Sequence, residues 1–356
     1  MLLRKLNGKT DWRFSPLKIV VAKDGSGDYT TLQAAVDAIP ENTSEEVTLF
    51  LRRGIYRERP VIHRDRVRLV GEDREAAVIA ASGCAKDPDG NGAEMGTFRS
   101  ATLMITGRDV TVENLTVRND AGDGRLAGQA VAVYAAGDGG IFRNVTMLAC
   151  QDTLFCGPLN PAVADFIAPR RGSAELVQVE NLGSCTETRS RLYFENCFIR
   201  GDVDFIFGPY RCLFDRCTLY MNKRGGFYTA ANTPVEQSLG MIFRDCALTG
   251  ECDAGAGYLG RPWRKYARTL FLRCDMDECV SPLGFTDWDE ERVVTNRLGE
   301  YGTTGARADL SSRHPAQKHL SAEEAKSAVA EMLSLWGDHP SVFTRTLSPS
   351  GSSVPE

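Results

Sequence analysis

The stretch Val112-Glu113-Asn114-Leu115-Thr116-Val117, VENLTV, returns along the chain with its residues changed and its plan intact. It reappears as FRNVTM (142–147), FENCFI (194–199), FDRCTL (214–219) and FRDCAL (243–248), with a fragment LRCDM at 272–276. Each copy begins with an apolar residue, carries a polar or charged third residue and ends on another apolar one. With the third position as marker, Asn114, Asn144, Asn196, Arg216 and Asp245 stand 30, 52, 20 and 29 residues apart. Most steps therefore have the length of one solenoid coil, and the step of 52 holds an insertion. The segments are short, rich in Val, Phe, Ile and Thr, and punctuated by Gly, Asn and Asp, which predicts strands and turns rather than helices. A coil of three such strands cannot bury its apolar face alone, so successive coils must stack into a parallel β-helix with an apolar lumen. Asn and small polar residues at the corners satisfy backbone groups where the chain bends.

Two segments read as helices. In YTTLQAAVDAIPENT, from Tyr29, Thr30 or Thr31 caps a helix whose Leu32, Ala35, Val36 and Ile39 share one face, expected to cover the first coil. At 320–337, Ser321 and Glu324 form a capping box, and Ala325, Val329 and Leu333 share a side expected to pack back along the barrel. The Pro- and Gly-rich stretch 157–189 reads as a loop leaving the coils, and 344–356 as a disordered tail. A single domain over 1–343 is expected.

The 356 residues are 42% hydrophobic, enough for a substantial core, and the net charge of −5 comes from intermixed acids and bases. With no run of either sign, neither nucleic acid nor an anionic membrane is an expected partner. The N-terminus MLLRKLNGKTDWRF lacks the apolar stretch of a secretory signal, which predicts a cytoplasmic protein unless a signal has been removed. The 11 Cys sit in apolar strand patterns and read as mostly reduced core thiols. Cys212 and Cys217, or Cys274 and Cys279, are too far apart for a zinc CxxC pair, and with four His neither a metal nor another cofactor is expected. A monomer is expected.

Polar groups inside apolar strands mark the candidate site: GTFRSAT (96–102), GQAVAVY (128–134), QDTLF (151–155), GDVDFIFG (201–208) and YLGRPW (258–263). Asp152 and Asp204 are flanked by apolar residues, so each is a buried carboxylate needing compensation. Taken singly, either also reads as an ordinary Asp at a β-helix turn.

In these five phrases the chain resembles the pectin methylesterase family of plants and microbes. The resemblance runs from VVAKDGSGDYTTLQAAVDAIP at residue 20, through GIYRE (54–58), to RLGEYGTTGA (297–306), about four fifths of the chain. It implies an all-β, right-handed parallel β-helix and hydrolysis of galacturonate methyl esters, of pectin or of methylated oligogalacturonides, to free carboxylate and methanol. It assigns Asp204 as nucleophile and Asp152 as proton donor and acceptor, so that Asp152 begins protonated and Asp204 ionised. Gln129 and Gln151 match the amide donors to the oxyanion, and Arg261 the residue that orients Asp204. Trp263, two residues beyond Arg261 on the same face of an extended strand, offers a flat surface to a sugar ring. Thr97, Phe207 and Val203 fall at substrate-contact positions, with lumen packing the competing reading for the two apolar ones. Arg99, Arg118, Arg143, Lys223 and Arg224 are weaker candidates for meeting galacturonate carboxylates.

The chain departs from the plant pattern in the 52-residue separation of Asp152 from Asp204. An insertion beside the cleft would close one end of the groove and favour short oligogalacturonides. Competing functions are an esterase or thioesterase acting on a non-pectin substrate, and a pectate lyase or polygalacturonase on the same architecture. A serine hydrolase is disfavoured, because no GxSxG elbow is present and His63, His314, His319 and His339 lie outside the motif cluster.

Overall fold

The computed structural model describes residues 17–41, 43–89, 92–157 and 191–337. All but Gly157 of the expected insertion at 157–189 lies outside the described residues, as does the tail at 344–356. The role expected of the insertion therefore also falls outside them.

Among the described residues the strands pair in parallel into three long sheets of eleven, nine and six strands. Successive strands visit the three sheets in rotation. One coil runs through Gly140–Arg143, Thr146–Leu148 and Leu154–Cys156, and the next through Arg191–Glu195, Phe198–Gly201 and Ile206–Gly208. The chain is a parallel β-helix.

The recurring phrase is the corner between the first two sheets. Its opening residues end a strand of the eleven-stranded sheet, its third residue turns the chain, and its last residues begin a strand of the nine-stranded sheet. The turning residues Asn114, Asn144, Asn196, Arg216, Asp245 and Arg273 all adopt left-handed backbone, with φ between 51° and 55°. Asn tolerates that conformation better than most residues. The Asn144 amide donates to Asn114 Oδ1 at 2.6 Å, and Asn196 to Asn144 Oδ1 at 3.3 Å. Farther along the column Arg273 and Asp245 continue it as an ion pair at 2.6 Å.

The first residue of the phrase points into the lumen. Phe142, Phe194, Phe214, Phe243 and Phe271 are in register in consecutive coils and stack with centroids 4.8, 4.4, 4.4 and 4.6 Å apart. The fourth position places Cys197, Cys217, Cys246 and Cys274 beside that column, each thiol within 3.6 Å of the preceding coil's Phe carbonyl. Ten described cysteines are free and eight of them are buried.

The ends of the lumen are closed differently. At the N-terminal end the helix Leu32–Asp37, capped by Thr31, buries Leu32, Ala35 and Val36. At the other end Glu300, in register with Phe271, is fully buried and held by Arg313 at 2.6 and 3.1 Å, by Gln317 at 2.6 Å and by Thr303 at 2.9 Å. The helix Ala322–Ser334 opens on the capping box of Ser321 and Glu324, within the expected 320–337. It packs outside the eleven-stranded sheet, where Ala325, Met332 and Trp336 cover Ile141, Tyr193, Leu213, Ile242 and Leu270. Val329 and Leu333 flank that contact, and Met332 is its most buried member.

Candidate active site

The six-stranded sheet turns a second row of side chains outward. Met104, Tyr134, Phe155, Phe207 and Ala230 are in register along it, while the neighbouring Leu103, Val133, Leu154 and Ile206 face the lumen. Alternation along a strand makes this double use possible. Phe155 lies 4.8 Å from Tyr134 and 4.9 Å from Phe207, and Phe98, in the short turn Phe98–Ser100, packs on all three. The result is an aromatic wall on the outside of the solenoid. Phe207 belongs to it, so its packing is on this outer face rather than in the lumen.

Asp152 and Asp204 stand at equivalent positions of successive coils, each two residues before the paired Leu154 and Ile206. Both adopt left-handed backbone, with φ of 66° and 52°, and the Asp152 N–H donates to the Val203 carbonyl at 3.1 Å. Two non-Gly residues held in this sparsely populated region on adjacent coils represent local strain that the stacked coils sustain. Asp152 is 8% exposed and Asp204 7%.

Arg261 grips Asp204 with both arms of its fork, Nε to Oδ1 at 2.9 Å and Nη2 to Oδ2 at 2.7 Å. Its own backbone N–H is fixed by the Thr229 carbonyl at 3.1 Å, and that of Trp263 by Ala231, also at 3.1 Å. Arg261 and Trp263 thus extend the six-stranded register, and Trp263 meets the Phe207 ring edge-on at 5.9 Å. The guanidinium is also clasped between the Phe227 ring at 4.0 Å and the Trp288 ring at 3.8 Å. Neither ring was singled out in the sequence. Trp288 lies in FTDWDEE, outside the strand pattern, and its one sequence signal is an isolated Trp among acids.

The two carboxyls are in unequal surroundings. Burial drives the Asp152 carboxyl well above the usual carboxylate range; the Asp204 charge and, more weakly, that of Asp202 push the same way, against Arg261. Burial also raises Asp204, but the hydrogen bonds and charge of Arg261 oppose it. Asp202, itself buried, accepts the Val203 N–H at 2.6 Å and lies 3.9 Å from Arg224. Gly226 makes this corner possible. It has φ of +144°, and a Cβ there would meet the Asp202 carbonyl oxygen at 2.5 Å.

Gln129 and Gln151 are half-buried and bridged in parallel on adjacent coils, with Gln151 next to Asp152 in the chain. Thr97 is half-buried at the start of the Phe98–Ser100 turn, and Val203 half-buried between Asp202 and Asp204. Four of the five weaker cationic candidates are drawn into ion pairs: Arg99 with Asp89, Arg118 with Asp120, Arg224 with Asp202, and Arg143 with Glu113 and Glu195 on the eleven-stranded sheet. Among the described residues no three His, Cys, Asp or Glu converge as a metal-ion site.

Fold and site together define a class: solenoid enzymes that present paired, buried carboxylates beside an aromatic wall on the outside of a parallel β-helix. The family model described as Pectinesterase matches residues 18–158 and 185–333, breaking across the expected insertion. Pectinesterase QRT1 of Arabidopsis thaliana is 32% identical over 320 residues, covering 86% of this chain and 74% of that protein. The structure of pectin methylesterase from carrot superposes with a TM-score of 0.75 at 26% identity, covering 96% of this chain and 99% of that one. A pectin methylesterase in complex with a hexasaccharide superposes at 0.71, also at 26% identity, covering 94% of this chain and all of that one. The chain belongs to the pectinesterase family, whose members are carboxylic ester hydrolases, and its β-helix is accordingly right-handed.

Proposed function

We propose that the chain hydrolyses methyl esters of pectin-type galacturonates through Asp204 as nucleophile and Asp152 as proton-transfer group. The observation that carries this reading is the two-armed hold of Arg261 on Asp204 beside a second, more strongly raised carboxyl. A carboxylate held by a guanidinium stays ionised and aimed, whereas a buried one without that support keeps its proton.

Asp204 attacks the ester carbonyl carbon, and the carbonyl electron pair moves onto oxygen. The Gln129 and Gln151 amides stand on adjacent coils as neutral donors for that oxyanion, in place before the charge develops. Collapse breaks the bond to methoxide, which takes the Asp152 proton and leaves as methanol, with the uronyl group joined to Asp204 as a mixed anhydride. Asp152, now ionised, removes a proton from water as that water attacks the uronyl carbon, and Asp204 departs as carboxylate. Asp152 ends protonated, ready for another cycle. Trp263, Phe207, Thr97 and Val203 line the approach to this centre, with the indole as the surface for the sugar ring.

Methanol release from highly methylated pectin and from short methylated oligogalacturonides, with wild type and Asp204→Ala, tests the reading. Release by the wild type and its loss by at least ~10³-fold in the variant are expected; unchanged release by the variant would overturn the assignment of Asp204. Monomeric action and a cytoplasmic location belong to the same proposal, the latter supported by the ten free thiols among the described residues. Cell fractionation and light scattering test them, and enzyme found outside the cell or a stable dimer would overturn the respective part.

A further inference from the structure

Upstream of the strand Val133–Ala135 the backbone ladder to the preceding coil is interrupted. Val133 is in register with Leu103, so Val131 stands opposite Ala101, at the end of the Phe98–Ser100 turn. A continued parallel ladder would give the Val131 N–H to the Ser100 carbonyl, just as the Thr102 N–H goes to the Val131 carbonyl at 3.0 Å. The Val131 N–H goes instead to the Ser100 hydroxyl at 3.0 Å, and Ser100 is fully buried. A side chain thus fills the rung that the turn removes.

The Ser100 carbonyl is not left unpaired. It accepts the Asn119 side-chain amide at 3.0 Å, and the same amide reaches the carbonyls of Val131 at 3.0 Å and of Gly83 at 2.8 Å. Asn119 ends the strand Thr116–Asn119, is buried, and accepts the Ala121 N–H at 3.1 Å. Between these ties lies Gln129. Its carbonyl accepts the Ala85 N–H at 2.8 Å, and the N–H of the next residue, Ala130, donates to the Gln151 carbonyl at 3.1 Å. The backbone that carries Gln129 is therefore fixed on one side against the coil of Asp152 and, two residues on, against the Ser100 hydroxyl on the other.

We propose that Ser100 is a positioning residue for the Gln129 amide: its hydroxyl sets where that donor stands as charge develops on the ester oxygen. The inference rests on the pectinesterase reading, with Gln129 as an oxyanion donor, and adds to it a residue that acts through the backbone. Removing the hydroxyl leaves the Val131 N–H buried without an acceptor, and the backbone beside Gln129 must shift to find one. The Thr97 carbonyl, to which the hydroxyl donates at 2.5 Å, also accepts the Ser100 N–H at 3.2 Å and so keeps a partner. The loss therefore falls on the transition state rather than on substrate binding.

The test measures kcat and KM for methanol release from methylated oligogalacturonides by wild type, Ser100→Ala, Gln129→Leu and the double variant. Gln129→Leu should lower kcat by about 10²-fold. Ser100→Ala should lower kcat by about 10-fold with KM within about 2-fold of wild type, and in the Gln129→Leu background it should cost less than about 2-fold. Both limbs of its pH–rate profile should stay where wild type has them, because the misplaced amide is neutral and the carboxyls keep their neighbours. An unchanged kcat, an equal loss in both backgrounds, a loss confined to KM or a shifted pH profile overturns the assignment of Ser100 and leaves the esterase reading intact. If Ser100→Ala does not fold, Ser100→Cys, a weaker acceptor at the same place, carries the same comparison. An unchanged kcat in Gln129→Leu instead overturns Gln129 as a donor, and no methanol from wild type overturns the esterase reading; the positioning role falls with either.

Discussion

Asp152 and Asp204 are the same side chain at equivalent positions of two coils, and only their neighbours distinguish them. Arg261 holds Asp204 and not Asp152, so the lower of two raised values belongs to Asp204. The rate should therefore fall on the acid side as Asp204 takes up a proton and on the alkaline side as Asp152 loses one. Because the Asp202 charge helps raise Asp152, Asp202→Asn is expected to move the alkaline limb of kcat/KM to lower pH, read from a pH–rate profile. The same burial predicts an effect on stability. As pH rises past the ordinary carboxylate range, the unfolded chain releases the Asp152 proton before the folded one does, so stability declines until the folded group also ionises. Asp152→Asn should thus melt on the order of 2 °C higher than wild type at neutral pH, with the difference closing in acid, as seen by calorimetry. Trp288 acts on the substrate-facing chemistry through Arg261, so Trp288→Ala should lower kcat by about 10-fold and alter the acid limb of the pH profile, with Trp288→Phe recovering most of the loss.

At the scale of the element, the corner column explains why the recurring phrase was visible at all. A position that must turn left-handed at every coil selects Asn, Asp or a long polar residue, and the apolar residues on either side must then point inward. Asn144→Val removes the amide links to Asn114, Asn196 and Arg74 and places a β-branched residue at φ 51°. A loss of roughly 2–3 kcal/mol is expected in urea unfolding. The short helices were less legible. The N-terminal helix spans only Leu32–Asp37, and Gly124–Ala127 beside Gln129 was not anticipated, because a single turn carries too little periodicity to stand out from a loop. The C-terminal helix, with a full capping box and 13 residues, was legible almost to its ends.

At the scale of the whole molecule, stability depends on closing a lumen that is apolar along its length. Glu300 sits under the last Phe of the ladder, and Arg313 arrives from a later segment to neutralise it. Arg313→Met strands a buried carboxylate and should cost about 3–5 kcal/mol in urea unfolding, most of it recovered when Glu300→Gln is added. This pair gave no sequence signal, since 13 residues separate its members and neither belongs to the coil phrase.

The sequence by itself determined the solenoid, because stacking imposes the same inward and turning positions on every coil and so writes a period into the chain. It also named the carboxylates, the two glutamines and Arg261, because polar residues embedded in apolar strands stand out and the family resemblance supplied their candidate roles. Only the tertiary structure decided which groups meet across coils: the clasp of Phe227 and Trp288 on Arg261, the Asp202 charge behind Asp152 and the outward aromatic wall. Each joins residues from different coils or loops, and their contact depends on the register and rise of the stacked coils, which no local pattern records.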